Sequence, residues 1–94
     1  MDFEYDPNKS VSNKEKHGID FEEAKALWKD VARLEARILR PGEKRYLLIG
    51  LIGSIHWTAI ITYRGEAVRI ISVRRSRRDE VMHYEKDRNI RRGI

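Results

Sequence analysis

Residues 74–78 read RRSRR, and Asp79 and Glu80 follow directly. Guanidinium groups repel one another, so four in five positions need a reason. The planar guanidinium fork donates two hydrogen bonds at once and matches anionic oxygens, phosphate above all. Ser76 is a good helix N-cap, and Asp79 three residues on completes a capping box. Asp79 and Glu80 in the first turn suit the helix dipole, whereas Arg77 and Arg78 oppose it by roughly a few tenths of a kcal/mol each. A conflict of this kind with local preference marks functional sites. A helix start ringed by arginine binds anions. The competing reading is surface pairing of these arginines with Asp79, Glu80 and Glu85, which stabilises little.

Neighbouring residues extend the expectation. Arg69 lies in RIISVR among apolar residues. In a regular strand it shares a face with Ala67, Ile71 and Val73, where a partly covered guanidinium needs a partner. Tyr63 and Arg64 end the preceding strand across a hairpin. All of these are expected to line one basic, aromatic-edged groove. The chain has three histidines, His17, His56 and His83, the residues suited to proton exchange near neutral pH. His17 precedes a helix-ending Gly18, and its alternative is hydrogen bonding to the last helix carbonyls. His56 falls on a strand and His83 on the last helix, where structural or solvated roles are expected. The carboxylate–histidine pairings are too small to argue a metal site. No cofactor is expected, and no glycine-rich phosphate loop or serine nucleophile motif is present.

These residues must be positioned by an α+β domain. Phe3-Glu4-Tyr5 alternates as a short strand. Asp6-Pro7 caps and opens a helix to about Lys16, which Gly18 ends. Asp20 and Glu23 frame a second helix whose core face is Phe21, Ala24, Leu27, Trp28 and Val31. Leu34, Ala36 and Ile38 alternate weakly as a strand. Three clear strands follow over about 45–52, 55–63 and 67–74, rich in Ile, Val, Tyr, Trp and Thr. Gly53-Ser54 and Arg64-Gly65 are hairpin turns. A last helix opens at Ser76 and runs to about Asn89, with a tail frayed from about 90. The expected architecture is two N-terminal helices and one C-terminal helix packed on one face of an antiparallel sheet of three to five strands.

Composition narrows the class. The chain has 94 residues and no cysteine, so it is one domain, residues 1–94, without disulfides or thiolate metal sites. The missing cysteines fit a reducing cytoplasm. The start, MDFEYDPN, is acidic and polar, unlike a signal peptide, and LLIGLIGSI is too short to span a bilayer, so no membrane role is expected. Charge is divided along the chain. Residues 1–31 hold five lysines and eight acids, net −3, and residues 32–94 hold fifteen Lys+Arg and seven acids, net +8. A non-catalytic basic module binding nucleic acid or an acidic protein is therefore an alternative throughout.

Three segments carry a resemblance: FEYDPNKSVSNKEKHGIDFEEA, EKRYLLIG and ITYRGEAVRIISVRRSRRDEVMHYE. In combination and order they resemble the BrnT toxins of bacterial type II toxin–antitoxin systems. Tyr5 stands where many relatives have Trp, Ser76 where many have Ala, and the stretch between Lys29 and Glu43 lacks the usual acidic, proline-containing pattern. The resemblance implies a RelE-like fold and a ribonuclease that halts translation. It also implies a BrnA antitoxin with a ribbon-helix-helix DNA-binding domain, so that DNA is met only through the antitoxin. Metal-independent RNA cleavage needs a base for the ribose 2′-OH, cations for the phosphorane and an acid for the leaving 5′ oxygen. On this reading Arg69, Arg74, Arg75 and Arg77 serve the phosphorane, and His17 and Tyr63 the protons. Lys9, Lys16, Arg64 and Arg78 hold the RNA.

Overall fold

A computed structural model describes residues 1–93 of the chain. The chain starts as β1 (Asp2–Glu4) and enters α1 (Pro7–His17). Asp6 caps α1 by accepting the Asn8 N–H, and Pro7 sits where its missing N–H is not needed. Gly18 ends the helix at φ 79°, a conformation that strains residues bearing a Cβ. Asp20 and Glu23 form both halves of the expected capping box, at 2.7 and 3.0 Å, and start α2 (Phe21–Ala24).

The second helix is shorter than expected. After Ala24 the chain tightens into a 3-10 turn, Lys25–Lys29, and leaves it at Asp30. Three residues per turn rotate the chain off the 3.6-residue stripe that would have placed Val31 inside. Asp30 completes the exit. Its carboxylate accepts the N–H groups of Ala32 and Leu51 at 2.9 and 2.8 Å and the Tyr84 hydroxyl at 2.6 Å. Val31 is consequently 89% exposed, a correction to the expected core face. Phe21, Ala24 and Leu27 are buried as expected, and Trp28 is half-buried.

The sheet contains β2 (Leu34–Ile38), β3 (Arg45–Ile52), β4 (Ile55–Arg64) and β5 (Ala67–Arg75), in spatial order β1-β5-β4-β3-β2. The last four strands form the expected antiparallel meander. β1 lies parallel to β5, so the sheet is mixed rather than antiparallel. Its core face carries Leu48, Ala59, Ile61, Val68, Ile70 and Val73, packed against Phe21, Ala24 and Leu27.

Two features set the far end of β5. The first is a bulge. Ile60 pairs with Ser72 but Ile61 pairs with Ile70, which leaves Ile71 unpaired. An extra residue reverses the alternation beyond it. Arg69 and Val73 therefore point to opposite faces, not to the shared face a regular strand predicts. The second is Asn13. β1 pairs only with Ala67–Arg69, so the outer edge of β5 at Val73 has no strand beside it. There the Asn13 amide nitrogen donates to the Val73 carbonyl at 2.8 Å, and the amide oxygen accepts the Val73 N–H at 3.2 Å. A buried side chain thus satisfies backbone groups that a longer β1 would have paired.

The last helix, α3 (Arg78–Arg92), crosses the opposite face of the sheet, contrary to the expected one-sided packing. Its Glu80 bonds Thr58 and Arg74, whose register partners lie away from the core face. Tyr84 is fully buried beneath it, and Met82 is 67% exposed. α3 extends past the expected Asn89 to Arg92; Ile94, the last residue of the expected tail, lies outside the described residues.

Candidate active site

The arginine cluster is built around Glu80. Arg74 reaches it with both ends of its fork, Nη1 to Oε1 at 2.7 Å and Nη2 to Oε2 at 2.9 Å. The same carboxylate accepts the Arg77 backbone N–H at 2.7 Å and the Thr58 hydroxyl at 3.0 Å. Burial would raise the carboxyl's pKa, but these bonds to Arg74, Arg77 and Thr58 outweigh it and hold Glu80 at about 2. Arg74 is held more firmly protonated by the same Glu80 hydrogen bond.

This arrangement moves the helix cap. Arg77, not Ser76, stands at the N-cap of α3, with φ −78° and ψ 164°. Arginine carries no acceptor, so only Glu80's return bond to the Arg77 N–H is made. Ser76 instead shares a 2.8 Å hydrogen bond with Thr58 Oγ1, and its N–H donates to the His56 carbonyl at 3.1 Å. The ion pairing weighed against anion binding is therefore realised for Arg74 alone within the cluster. Arg75, Arg77 and Arg78 are exposed and have no carboxylate within 4.0 Å among the described residues. Strand alternation sets Arg75 on the face opposite Arg74, and the bulge makes that the Trp57 face, where its guanidinium carbon lies 5.6 Å from the Trp57 ring centre. A flat cation stacked on an indole stays charged while its N–H edge remains open to an anion.

α1 runs alongside this end of β5. His17 lies one turn beyond Asn13, the residue bonded to Val73, and is exposed with Lys16. Lys9 is exposed one turn before Asn13.

The other sequence candidates sit elsewhere. Arg69 and Arg64 both meet Glu4, at 3.2 and 3.7 Å. Arg69 is at the start of β5 and Arg74 near its end, on the order of 15 Å apart at strand spacing. Tyr63 pairs in register with Val68 and so faces away from Arg69. It stacks edge-on with Tyr46 at 5.2 Å and donates its hydroxyl to Glu35. Burial and that carboxylate push the phenol up to about 12. The single groove expected from sequence is therefore two separate ends of the sheet.

Sequence reasoning missed four residues around the site. Glu80 read as one surface acid among several, although its place three residues after Arg77 could have signalled a reversed capping box. Thr58 and Asn13 gave no signal, because their partners lie 22 and 60 residues away in the chain. His56 read as an ordinary strand residue, yet its Nε2 lies 2.7 Å from Glu85 Oε2.

Fold and site together define a small α+β protein whose sheet ends in exposed arginines that no carboxylate pairs among the described residues. The family model described as ribonuclease toxin, BrnT, of type II toxin-antitoxin system matches residues 5–80. The chain belongs to that family. The matched span takes in β2 to β5, Arg74–Arg78 and Glu80, and ends within the first turn of α3. A search of the curated proteins found no match. Among the described residues, no helix is long and apolar enough to cross a membrane.

Proposed function

We propose that the chain is a RelE-like endoribonuclease toxin that cuts RNA through the ribose 2′-OH without a metal ion. It halts translation in the cytoplasm until a BrnA-like antitoxin, itself the DNA-binding partner, covers it. One observation carries this reading. Arg75, Arg77 and Arg78 stand open at the end of β5 while Arg74 is committed to Glu80. The Arg74–Glu80 pair fixes the backbone on either side of Ser76 and so sets the other three cations. They stabilise the charge that develops on the phosphorane as the 2′ oxygen attacks phosphorus and the 5′ oxygen leaves. Lys9, Lys16 and His17 line α1 and contact the RNA backbone. Arg69, Arg64 and Tyr63, at the opposite end, lie outside the reacting centre.

The test is incubation of the purified protein, freed of antitoxin, with total cellular RNA in EDTA, beside Arg75→Ala. The parent is expected to leave fragments with 5′-OH ends, and Arg75→Ala to cut about 10²–10³-fold more slowly with its fold intact. A folded parent that binds RNA in a salt-dependent way and cuts nothing would replace this reading with the binding-module one.

A further inference from the structure

The strand order β1-β5-β4-β3-β2 leaves β2 with a neighbour on one side only. The strand is regular. All of Leu34–Ile38 pairs with β3, from Leu34 with Ile49 to Ile38 with Arg45, without a bulge. Among the described residues, none of its backbone groups is bonded outside the sheet. An edge of this kind presents free N–H and C=O groups, and proteins commonly blunt it with proline, lysine or a bulge. β2 has none of the three, and Glu35, Ala36 and Arg37 are exposed. Two apolar residues bracket the strand, Val31 and Leu39, each 89% exposed.

The five residues LEARI are complementary to themselves when turned about Ala36. In an antiparallel pair of two such strands centred there, Leu34 stands opposite Ile38 of the second copy and Glu35 opposite Arg37, on both sides of the axis. Ala36 meets Ala36, so nothing bulky stands on the axis. Glu35 and Arg37 lie on the face away from α3, where Glu35 accepts the Tyr63 hydroxyl. Neither has an oppositely charged side chain within 4.0 Å among the described residues. Leu34 and Ala36 face α3 and line an apolar groove with Leu47, Ile49 and Ile90. Pairing about Ala36 joins two such grooves into one apolar floor. It also brings the Val31 end of each copy beside the Leu39 end of the other.

We infer that β2 is the contact through which two copies of this chain associate, antiparallel about Ala36, joining two five-stranded sheets into one. The association does not depend on whether the chain cuts RNA. β3 and β4 lie between this edge and the arginines of β5, so pairing leaves those arginines open on the two outer flanks. At strand spacing the flanks are on the order of 35 Å apart. A five-residue strand pair is small beside the roughly 1,200–2,000 Å² that stable interfaces bury. A dissociation constant on the order of 10 μM is therefore expected.

The test is sedimentation equilibrium of the purified chain, freed of antitoxin, from about 1 μM to about 1 mM. Monomer is expected to give way to dimer over that range. Arg37→Glu sets acid against acid across the axis, and Glu35→Arg sets base against base. Each is expected to weaken the dimer about tenfold or more. Both positions are exposed, so the fold is expected intact in each variant. An equimolar mixture of the two variants restores opposite charges and should associate again. Ala36→Cys, in a chain with no other cysteine, should cross-link on mild oxidation faster than Val11→Cys on the exposed side of α1. A parent that stays monomeric throughout overturns the inference. So does a dimer indifferent to both charge reversals, a mixture no tighter than either variant alone, or Val11→Cys cross-linking as fast as Ala36→Cys. A monomeric parent whose β2 amides gain exchange protection only when antitoxin is bound overturns it too, and assigns the edge to a strand of the antitoxin.

Discussion

Glu80→Gln tests the framework on which the open arginines stand. The native carboxylate accepts four hydrogen bonds from Arg74, Arg77 and Thr58. Its side chain is 8% exposed and that of Arg74 is 23% exposed, so water replaces these bonds poorly. A carboxyl lowered from 4.5 to about 2 on folding contributes about 3 kcal/mol near neutral pH. The folded-state pKa is the depressed one, so this stability is present in full above about pH 5. It is lost as the pH falls through 4.5 toward 2. Glutamine mimics the protonated acid at every pH. Urea melts of parent and variant should therefore differ by about 3 kcal/mol at pH 7 and by roughly 1.5 kcal/mol at pH 3. Near neutral pH the gap corresponds to a drop in melting temperature on the order of 15 °C for a domain of this size. A gap that stays constant from pH 7 to pH 3, or a variant as stable as the parent at pH 7, would refute the assignment of Glu80 as the ionised centre of the cluster.

Other outcomes follow from single contacts. Asn13→Ala leaves the Val73 N–H and carbonyl and the Ile19 carbonyl without their partner; a loss of about 2–4 kcal/mol in chemical denaturation is expected, with exchange of the Val73 amide accelerated. Gly50→Ala would set a Cβ 3.1 Å from Leu27 Cδ2 and 3.4 Å from Asp30 Oδ2; overpacking there should destabilise by about 1–3 kcal/mol, measured by the same melts. Tyr63→Phe should remove a tyrosinate titration near pH 12, seen by ultraviolet absorbance. Its raised pKa means the phenol's stabilising bond is present below pH 10 and lost as pH rises through 12. The same variant should keep the parent's rate of RNA cutting, because Tyr63 lies at the end of the sheet remote from Arg75.

The chain itself announced most of the elements, because their signals are local. Asp6-Pro7, Gly18, and Asp20 with Glu23 act through bonds within a turn, and each appeared where its residue types placed it. The strands from Arg45 onward were legible for the same reason: β-branched and aromatic runs separated by Gly53-Ser54 and Arg64-Gly65. Their charge asymmetry and the RRSRR run likewise pointed to an anion. Local rules failed where a distant group outweighed them. Ser76 has the better capping side chain, yet Glu80's four bonds move the cap to Arg77 and draw Ser76 to Thr58. Periodicity placed Val31 inside, yet Asp30, bound to Leu51 and Tyr84, takes the chain out of the helix first.

By itself, then, the sequence determined the helices, the meander, the basic balance and the family resemblance, all of which depend on neighbours in the chain. Only the tertiary structure decided which arginines are open. One unpaired residue, Ile71, turns Arg74 to Glu80 on one face of the sheet and Arg75 to Trp57 on the other. A bulge depends on how two strands pair, and the pairing of β4 with β5 is set by the core on which both strands pack.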